Sequence, residues 1–206
     1  MDRLPLNPVV EDILTMAVSE FAAHGLAGAR VDAIAARTRT SKRMLYYHFG
    51  SKEGLYAAAL DHAFRVVRHA EPDYDALPPM EALRAWTGFV FDAHLRHPEF
   101  VRMVMGENLV GGRFLREADG IQKLNRAGVE VPARILRRGQ AEGSMRADVR
   151  AIDVYTNVIG LSFYFVSNRH TFSAIFEPGK DPQQAADERK HVIIDTIERQ
   201  VTACQP

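Results

Sequence analysis

The sequence has little of what disulfide-stabilised or membrane-spanning proteins need. Its single cysteine, Cys204, lies two residues from the carboxyl terminus, which excludes an internal disulfide and a cysteine-based metal site. No hydrophobic run reaches the roughly 18 to 20 residues that a membrane helix requires, and the richest stretch, Val158 to Val166, is interrupted by Gly160, Ser162 and Tyr164. The sequence does not show a charged segment followed by an apolar segment and a small-residue cleavage site, the pattern of a secretory signal peptide. We therefore expect a cytoplasmic protein with no membrane partner.

The chain also lacks the common signatures of enzymes. It has no GxGxxG motif, no phosphate-binding loop ending in Gly-Lys-Ser/Thr and no HExxH. A helical di-iron centre needs two Glu-x-x-His pairs, and only Glu188 to His191 has that spacing. His94 and His97 share a helix face without a nearby third ligand. We predict no metal, no cofactor and no catalytic residues, and a helical enzyme remains the less favoured alternative.

Positive charge is concentrated in one short segment. The whole chain balances 26 basic against 26 acidic residues, yet Ala33 to Lys52 contains five Lys or Arg and no Asp or Glu. Such a concentration of positive charge favours binding to a polyanion, because each neutralised phosphate releases counterions and contributes affinity. Tyr46, Tyr47 and His48 add donors for phosphate oxygens. The segment predicts nucleic-acid binding, while contact with another protein or an anionic surface remains an alternative.

The residue pattern of the amino-terminal third predicts four helices. Asn7 followed by Pro8 is typical of a helix start, and Gly25 indicates its end. A second short helix stops before Thr38, a third runs from about Ser41 to Phe49, and a fourth from Ser51 to about His69. In the third helix, inward-pointing Leu45 and Phe49 place Arg43 and Tyr47 on the opposite, outward face.

The rest of the chain is helical in character, with no alternation of period two and no hairpin signal. The stretch Glu71 to Pro79 contains three prolines and two aspartates and predicts a linker. We expect an all-α protein with a DNA-binding domain at 1–70, a linker at 71–79 and a larger ligand-binding and dimerisation domain at 80–206. Its helices are predicted at 80–96, 98–109, 113–142 with a break near Gly120, 149–171 and 182–203.

The helix that starts near Val149 carries two adjacent apolar rows. A surface helix of a monomer needs only one, so the second row favours either a fully buried helix or a subunit interface. The last helix offers further apolar residues. We prefer a homodimer through the last two helices, with burial inside one subunit nearly as well supported. The rows comprise Val154, Val158, Leu161 and Phe165, and Tyr155, Ile159, Ser162 and Val166; the last helix adds Val192, Ile193, Ile194, Ile197 and Val201.

The block from Phe21 to Leu55, with FAAHG followed by IAARTRTSKRMLYYHFGSKEGLY, resembles the DNA-binding domain of TetR-type bacterial transcriptional regulators. The resemblance covers about the first quarter of the chain. It implies a helix-turn-helix whose second helix, Ser41 to Phe49, enters the major groove of a pseudo-palindromic operator. It also implies a homodimer, and a regulator, most often a repressor, that a small-molecule effector releases from DNA.

Positions carried over from the family predict the DNA contacts. The family's usual Gly and apolar residue in the turn are Arg39 and Thr40 here, and its usual Ser or Thr before the second helix is Arg30, which cannot cap the helix but could reach a phosphate. Bases or phosphates would meet Thr40, Ser41, Lys42 and Arg43, and phosphates would meet Tyr46, Tyr47, His48 and Lys52.

The second domain suggests an effector pocket. It combines many large, adaptable side chains with scattered polar groups. The stretch His97 to Gly112, HPEFVRMVMGENLVGG, is similar to a subgroup whose effectors are heterocyclic catabolites, so we expect a heterocyclic or aromatic catabolite. For each polar residue alone, an ordinary structural role is the better interpretation. The candidate effector residues are Trp86, Phe89, His94, Met105, Asn108, Asn157, Phe163 and Tyr164.

Overall fold

The structure is a computed structural model and describes residues 7–68, 71–116 and 119–203. These residues form helices joined by short turns, with no strand in the described part of the chain. The all-α prediction is confirmed. The helices are α1 (Pro8–Gly28), α2 (Val31–Arg37), α3 (Lys42–Phe49), α4 (Lys52–Arg68), α5 (Pro79–Arg96), α6 (Pro98–Leu109), α7 (Arg113–Arg116), α8 (Asp119–Ala141), α9 (Ala151–Phe176) and α10 (Pro182–Val201).

Local capping accounts for several helix boundaries. The Asn7 side chain accepts the Val9 amide at 3.0 Å, with Pro8 at the first helical position. Gly25 has φ 64° and ψ 175°, so the helical path of α1 breaks there, as the sequence predicts, and a further helical turn follows before Ala29. The predicted 113–142 helix is divided into α7 and α8, with residues 117 and 118 outside the described residues. A positive φ at Gly25 suits a residue without Cβ.

The chain divides into two compact units. One contains residues up to His69 together with Glu99–Gln122, and the other contains Ala70–Pro98 and Lys123–Pro206. This division assigns α6 and α7 to the amino-terminal unit, whereas the sequence-based boundaries place them in the second domain. The sequence-based boundaries at 70 and 80 stay a prediction.

The first unit is built around α1 and α4. Ile13, Ala17 and Phe21 of α1 are buried with Leu55 and Leu60 of α4. Because these side chains recur at helical spacing, both helices present one apolar side to the same core. The α4 helix also contacts α6 and α7 within this unit, through an edge-to-face pair of Phe64 with Phe100 and a pair of Tyr56 with Phe114, each with ring centroids 4.9 Å apart.

The second unit has its own core between α5, α8, α9 and α10. Trp86 is completely buried, and Phe91 stacks at a tilt on Phe165 with ring centroids 5.5 Å apart. On α9, Val154 and Val158 are fully buried. Arg138 of α8 donates hydrogen bonds to the backbone carbonyls of Tyr74 and Leu77, which fixes the segment before α5 against this core.

Within residues 7–68, 71–116 and 119–203, no helix is long and apolar enough to cross a bilayer.

Candidate nucleic-acid interface

Two short helices joined by a tight turn create the candidate interface. The Thr38 hydroxyl donates to the Ile34 carbonyl at 3.1 Å and finishes α2. The Ser41 hydroxyl then accepts the Met44 amide at 3.3 Å and begins α3. Leu45 is 1% exposed and anchors the inner side of α3. This helix-turn-helix leaves the opposite side of α3 free.

The outer side of α3 is exposed, as the sequence predicts. Arg43 lies on the surface, and Tyr47, one helical turn later, is 79% exposed. Met44 and Tyr46 flank them and are also exposed, and the Tyr47 and His48 rings meet edge to face. Among the described residues Arg43 forms no ion pair, so its five donors are available to an incoming acceptor. The prediction that Arg43 and Tyr47 point outward is confirmed.

Lys42 is less free than the sequence suggests. Its ammonium lies 2.9 Å from a carboxylate oxygen of Asp32 on α2. The hydrogen bond to Asp32, together with the charge of Asp32, raises the pKa of Lys42. A DNA phosphate would therefore compete with Asp32 for this ammonium group. Both side chains are about half exposed, so the ion pair is weak enough to exchange.

Lys52 and Thr40 border the exposed face. The Lys52 ammonium donates to the Ala27 carbonyl at 3.1 Å, which ties the start of α4 to the end of α1. Two of its three donors remain for other acceptors. Thr40 is half-buried in the turn, whereas Arg30 is exposed at the start of α2. The nine predicted DNA-contacting residues thus belong to one continuous stretch of the first unit.

Sequence reasoning missed Glu20, which shapes this site from α1. Glu20 is 6% exposed and accepts the Arg30 backbone amide at 3.0 Å. Arg30 makes no side-chain cap, as expected, and the acceptor at the start of α2 comes from another helix. A signal was present, because Glu20 occupies an inward position between Ala17 and Phe21 and α2 lacks its own cap.

The predicted effector residues do not form one cluster. Trp86 and His94 are buried in the second unit, and Phe89 and Phe163 are half-buried there. His94 donates from Nδ1 to the Val90 carbonyl at 2.9 Å, and its ring meets Phe163 edge to face.

The other four candidates lie on helix surfaces. Asn157 donates to Gln200 at 3.0 Å, and Tyr164 is 57% exposed. Met105 and Asn108 lie exposed on α6, in the other compact unit. Which of the eight meet an effector stays a prediction.

Two family models match the chain. The model described as bacterial regulatory proteins of the tetR family matches residues 13–59, which include α2, the turn and α3. The model described as tetracyclin repressor-like, C-terminal domain, matches residues 79–197. Together the two models cover the helix-turn-helix and the helices from α5 to most of α10.

Relatives and solved structures agree with these models. The helix-turn-helix transcriptional repressor NicS of Pseudomonas putida is 34% identical, over 85% of this chain and 84% of that protein. The transcriptional regulator SCO4942 of Streptomyces coelicolor has a TM-score of 0.69 and 26% identity, covering 94% of this chain and 98% of that one. KstR2 of Mycobacterium tuberculosis shares the fold, with a TM-score of 0.65, 22% identity and coverage of 97% and 98%.

TetR regulators bind operator DNA, typically dimerise and bind small-molecule effectors, and are generally not enzymes. The exposed helix-turn-helix, both family models and a relative similar along most of its length support one assignment. This chain belongs to the TetR family of bacterial transcriptional regulators and is a ligand-responsive DNA-binding protein.

Proposed function

We propose that this protein is a cytoplasmic, homodimeric repressor that an effector releases from a pseudo-palindromic operator. The exposed Arg43 and Tyr47 face of α3 is the observation that carries the proposal. Two such helices in a symmetric dimer must match successive major grooves about 34 Å apart. An effector with higher affinity for a different spacing of the two helices would therefore weaken operator binding.

The DNA contacts divide into two kinds. Arg43 is the candidate for base recognition, because a guanidinium can donate two hydrogen bonds to the edge of guanine. Tyr46, Tyr47, His48 and Lys52 would donate to phosphates and position α3 without reading sequence. The remaining contacts would come from the start of α2 and α3 and from the turn between them: Arg30, Thr40, Ser41 and Lys42.

Selection from a random pool of duplex DNA tests this function. We expect the full-length protein to enrich an inverted repeat whose half-sites lie about one helical turn apart. Affinity for the enriched duplex should fall with salt, with a log-log slope of about −0.9 per phosphate neutralised. Enrichment of no common sequence, with equal binding to all duplexes, would contradict the proposal and favour a basic surface for another partner.

The dimer interface is proposed on an exposed stripe of α9. Leu161, Tyr164 and Ile175 follow one another at spacings of three and eleven residues on one side of the helix and are 39%, 57% and 67% exposed. On α10, Val192 is 52% exposed. Apolar side chains left in water on the two last helices favour cover by a second copy.

The effector is proposed to bind in the second unit and to be a heterocyclic or aromatic catabolite. Three buried polar atoms there have no hydrogen-bond partner among the described residues: the Trp86 indole nitrogen and the hydroxyls of Thr87 and Ser162. An unpaired buried donor is costly, so a polar ligand group or water near these atoms would stabilise the protein. Trp86 fluorescence, measured during titration with candidate catabolites, reports such binding.

Catalysis has weaker support than regulation. Among the described residues there is no group of three or more metal-ligating side chains. The family to which the chain belongs is generally non-enzymatic, and the helix-turn-helix accounts for the charged segment without a reaction. We therefore propose a regulator without enzyme activity.

A further inference from the structure

A pocket of about 810 Å³ lies between the end of α9 and the start of α10. Its size is within the range of small-molecule sites. None of the eight effector residues predicted from the sequence lines it. The pocket is therefore a different candidate site within the second unit, and its chemistry can be read from the side chains that surround it.

The pocket has aromatic and aliphatic walls. Phe165 is held from behind by its tilted contact with Phe91, and Phe172 packs on Phe176 with ring centroids 5.0 Å apart. Leu95 and Pro182 add further apolar surface. Flat phenyl walls favour a ring in stacked or edge-to-face contact, and a fully hydrated ion would gain little from them.

Arg169 and Lys180 line the pocket, and Arg169 lacks a counterion among the described residues; Arg189, outside the lining, has its guanidinium 5.8 Å from the Phe172 ring centroid. The Lys180 ammonium is neutralised by carboxylates of Glu177 at 2.9 Å and Glu188 at 2.6 Å. Arg169, half-buried in the lining, instead donates from Nε to the His170 ring at 3.4 Å. Among the described residues no carboxylate lies within 4.0 Å of Arg169.

An acceptor entering the pocket would satisfy Arg169. A guanidinium beside apolar surface loses hydration, and a carboxylate in the same place restores both charge balance and hydrogen bonds. With Nε already donating to His170, the two terminal nitrogens of Arg169 remain for the two oxygens of a carboxylate.

We propose that this pocket binds an aromatic carboxylate, with the ring against Phe165 and Phe172 and the carboxylate paired with Arg169. That this ligand is the effector rests on the function proposed above. The binding itself does not, and it can be measured without DNA.

The test uses 2-naphthoate as the probe and 2-naphthamide as its uncharged match. Calorimetry on the full-length protein should show saturable binding of naphthoate and at least about tenfold weaker binding of the amide. Arg169→Gln should weaken naphthoate binding by at least about tenfold and leave amide binding unchanged. Arg199→Gln, a control at an exposed arginine of α10, should bind both probes like the unaltered protein.

Filling the pocket provides an independent check that keeps the charge. Ala185→Phe places a ring into the space that the probe needs and should reduce binding of naphthoate and amide together. Absence of naphthoate binding, or naphthoate binding that neither Arg169→Gln nor Ala185→Phe alters, would overturn the proposal. Operator affinity of the same preparation, measured without naphthoate, tests the proposed function separately.

Discussion

Glu20 shows how one buried side chain replaces a missing helix cap. The first amides of a helix have no partner within the helix. The side chain of Arg30, at the start of α2, is exposed and makes no cap. The carboxylate of Glu20 reaches the Arg30 amide at 3.0 Å from ten residues earlier in the chain. A spacing rule for local caps could not find this acceptor, because it arrives through the packing of α1 against α2.

Replacing Glu20 should destabilise the protein. Glu20→Ala removes a hydrogen bond to a charged acceptor and should lower the free energy of unfolding by about 2 kcal/mol. Urea unfolding followed by circular dichroism measures the change. Asp12→Asn, at an exposed position of the same helix, serves as the control and should have little effect. Equal stability of Glu20→Ala and the unaltered protein would show that the amide finds another partner.

Burial of His62 makes the stability of the protein depend on pH below neutrality. It is 8% exposed on α4, with its Nε2 atom 3.4 Å from the Thr15 hydroxyl. Burial lowers the pKa of His62 below its usual value of 6.5, although the nearby charges of Glu11 and Asp61 oppose the shift. The neutral ring is favoured in the folded protein, whereas the unfolded chain binds a proton more readily.

Stability should therefore fall as the pH drops below about 6.5. The stabilising contribution of neutral His62 is fully present above the pKa of the unfolded chain and is lost toward the lower folded-state pKa, with a slope of at most about 1.4 kcal/mol per pH unit. Urea midpoints at several pH values measure this slope. His62→Gln should flatten it, while His191→Gln, at an exposed position, should not. The same slope in all three proteins would contradict this assignment.

At the scale of elements, the junction of α3 and α4 orients the exposed helix. Gly50 ends α3 with φ 74°, a conformation that suits glycine. A Cβ at Gly54, in the first turn of α4, would collide with the carbonyl oxygen of Phe49. The SKEGL segment thus requires its glycine because two helix ends approach each other closely.

Gly54→Ala should disturb this junction more than the same substitution would at a glycine with space around it. We expect a lower thermal midpoint and weaker operator binding, because α3 must shift to admit the methyl group. Gly106→Ala, at a helical position of α6 where the nearest atom lies 4.0 Å from an added Cβ, is the matched control and should keep both properties. If Gly54→Ala binds the operator and melts like the unaltered protein, the close approach does not orient α3.

Helix starts that are capped by a nearby side chain could be predicted from the sequence. Contacts between helices that are distant in the chain could not. Asn7 and Ser41 begin helices where the sequence places them, because each side chain caps an amide two or three residues away. The α6 helix belongs to the first compact unit, where Phe100 contacts Phe64. Sequence spacing contains no information about that contact.

At the scale of the whole molecule, the structure buries most of both apolar rows of α9 in the core of the second unit, and Leu161 is the exposed exception. Val154, Val158 and Ser162 are fully buried, while Leu161 and Tyr164 remain exposed. The sequence alone could not choose between burial and an interface, because both need apolar residues at helical spacing. The rows are therefore mostly core, and the proposed dimer rests on exposed Leu161 together with Tyr164 and Ile175, which lie outside the rows.

Charge on this face should prevent dimerisation. Leu161→Glu and Tyr164→Glu place a carboxylate in the proposed contact and should sediment as monomers at concentrations where the unaltered protein is a dimer. Both substitutions should also lower operator affinity, because a monomer has one helix-turn-helix and contacts only half of the site. Leu109→Glu, at an 89% exposed leucine of α6, is the control and should stay dimeric. Dimers of all three variants would place the interface elsewhere.

The two candidate sites differ in how far sequence could predict them. The candidate DNA-binding face is local, since Arg43 and Tyr47 are one helical turn apart on a helix whose inner side contains buried Leu45. An effector site draws residues from several helices, and the predicted set includes both buried Trp86 and exposed Tyr164. Only the packed structure reveals the pocket beside Arg169.

Affinity of Arg43→Gln for the selected operator and for random duplex tests the central claim most directly. A bidentate base contact contributes about 1 to 3 kcal/mol, so the variant should lose about five- to 150-fold in operator affinity and much less on random DNA. Tyr47→Ala should weaken binding to both duplexes by a similar factor, and Arg199→Gln should change neither. If Arg43→Gln keeps the operator preference of the unaltered protein, the exposed face of α3 does not read the operator.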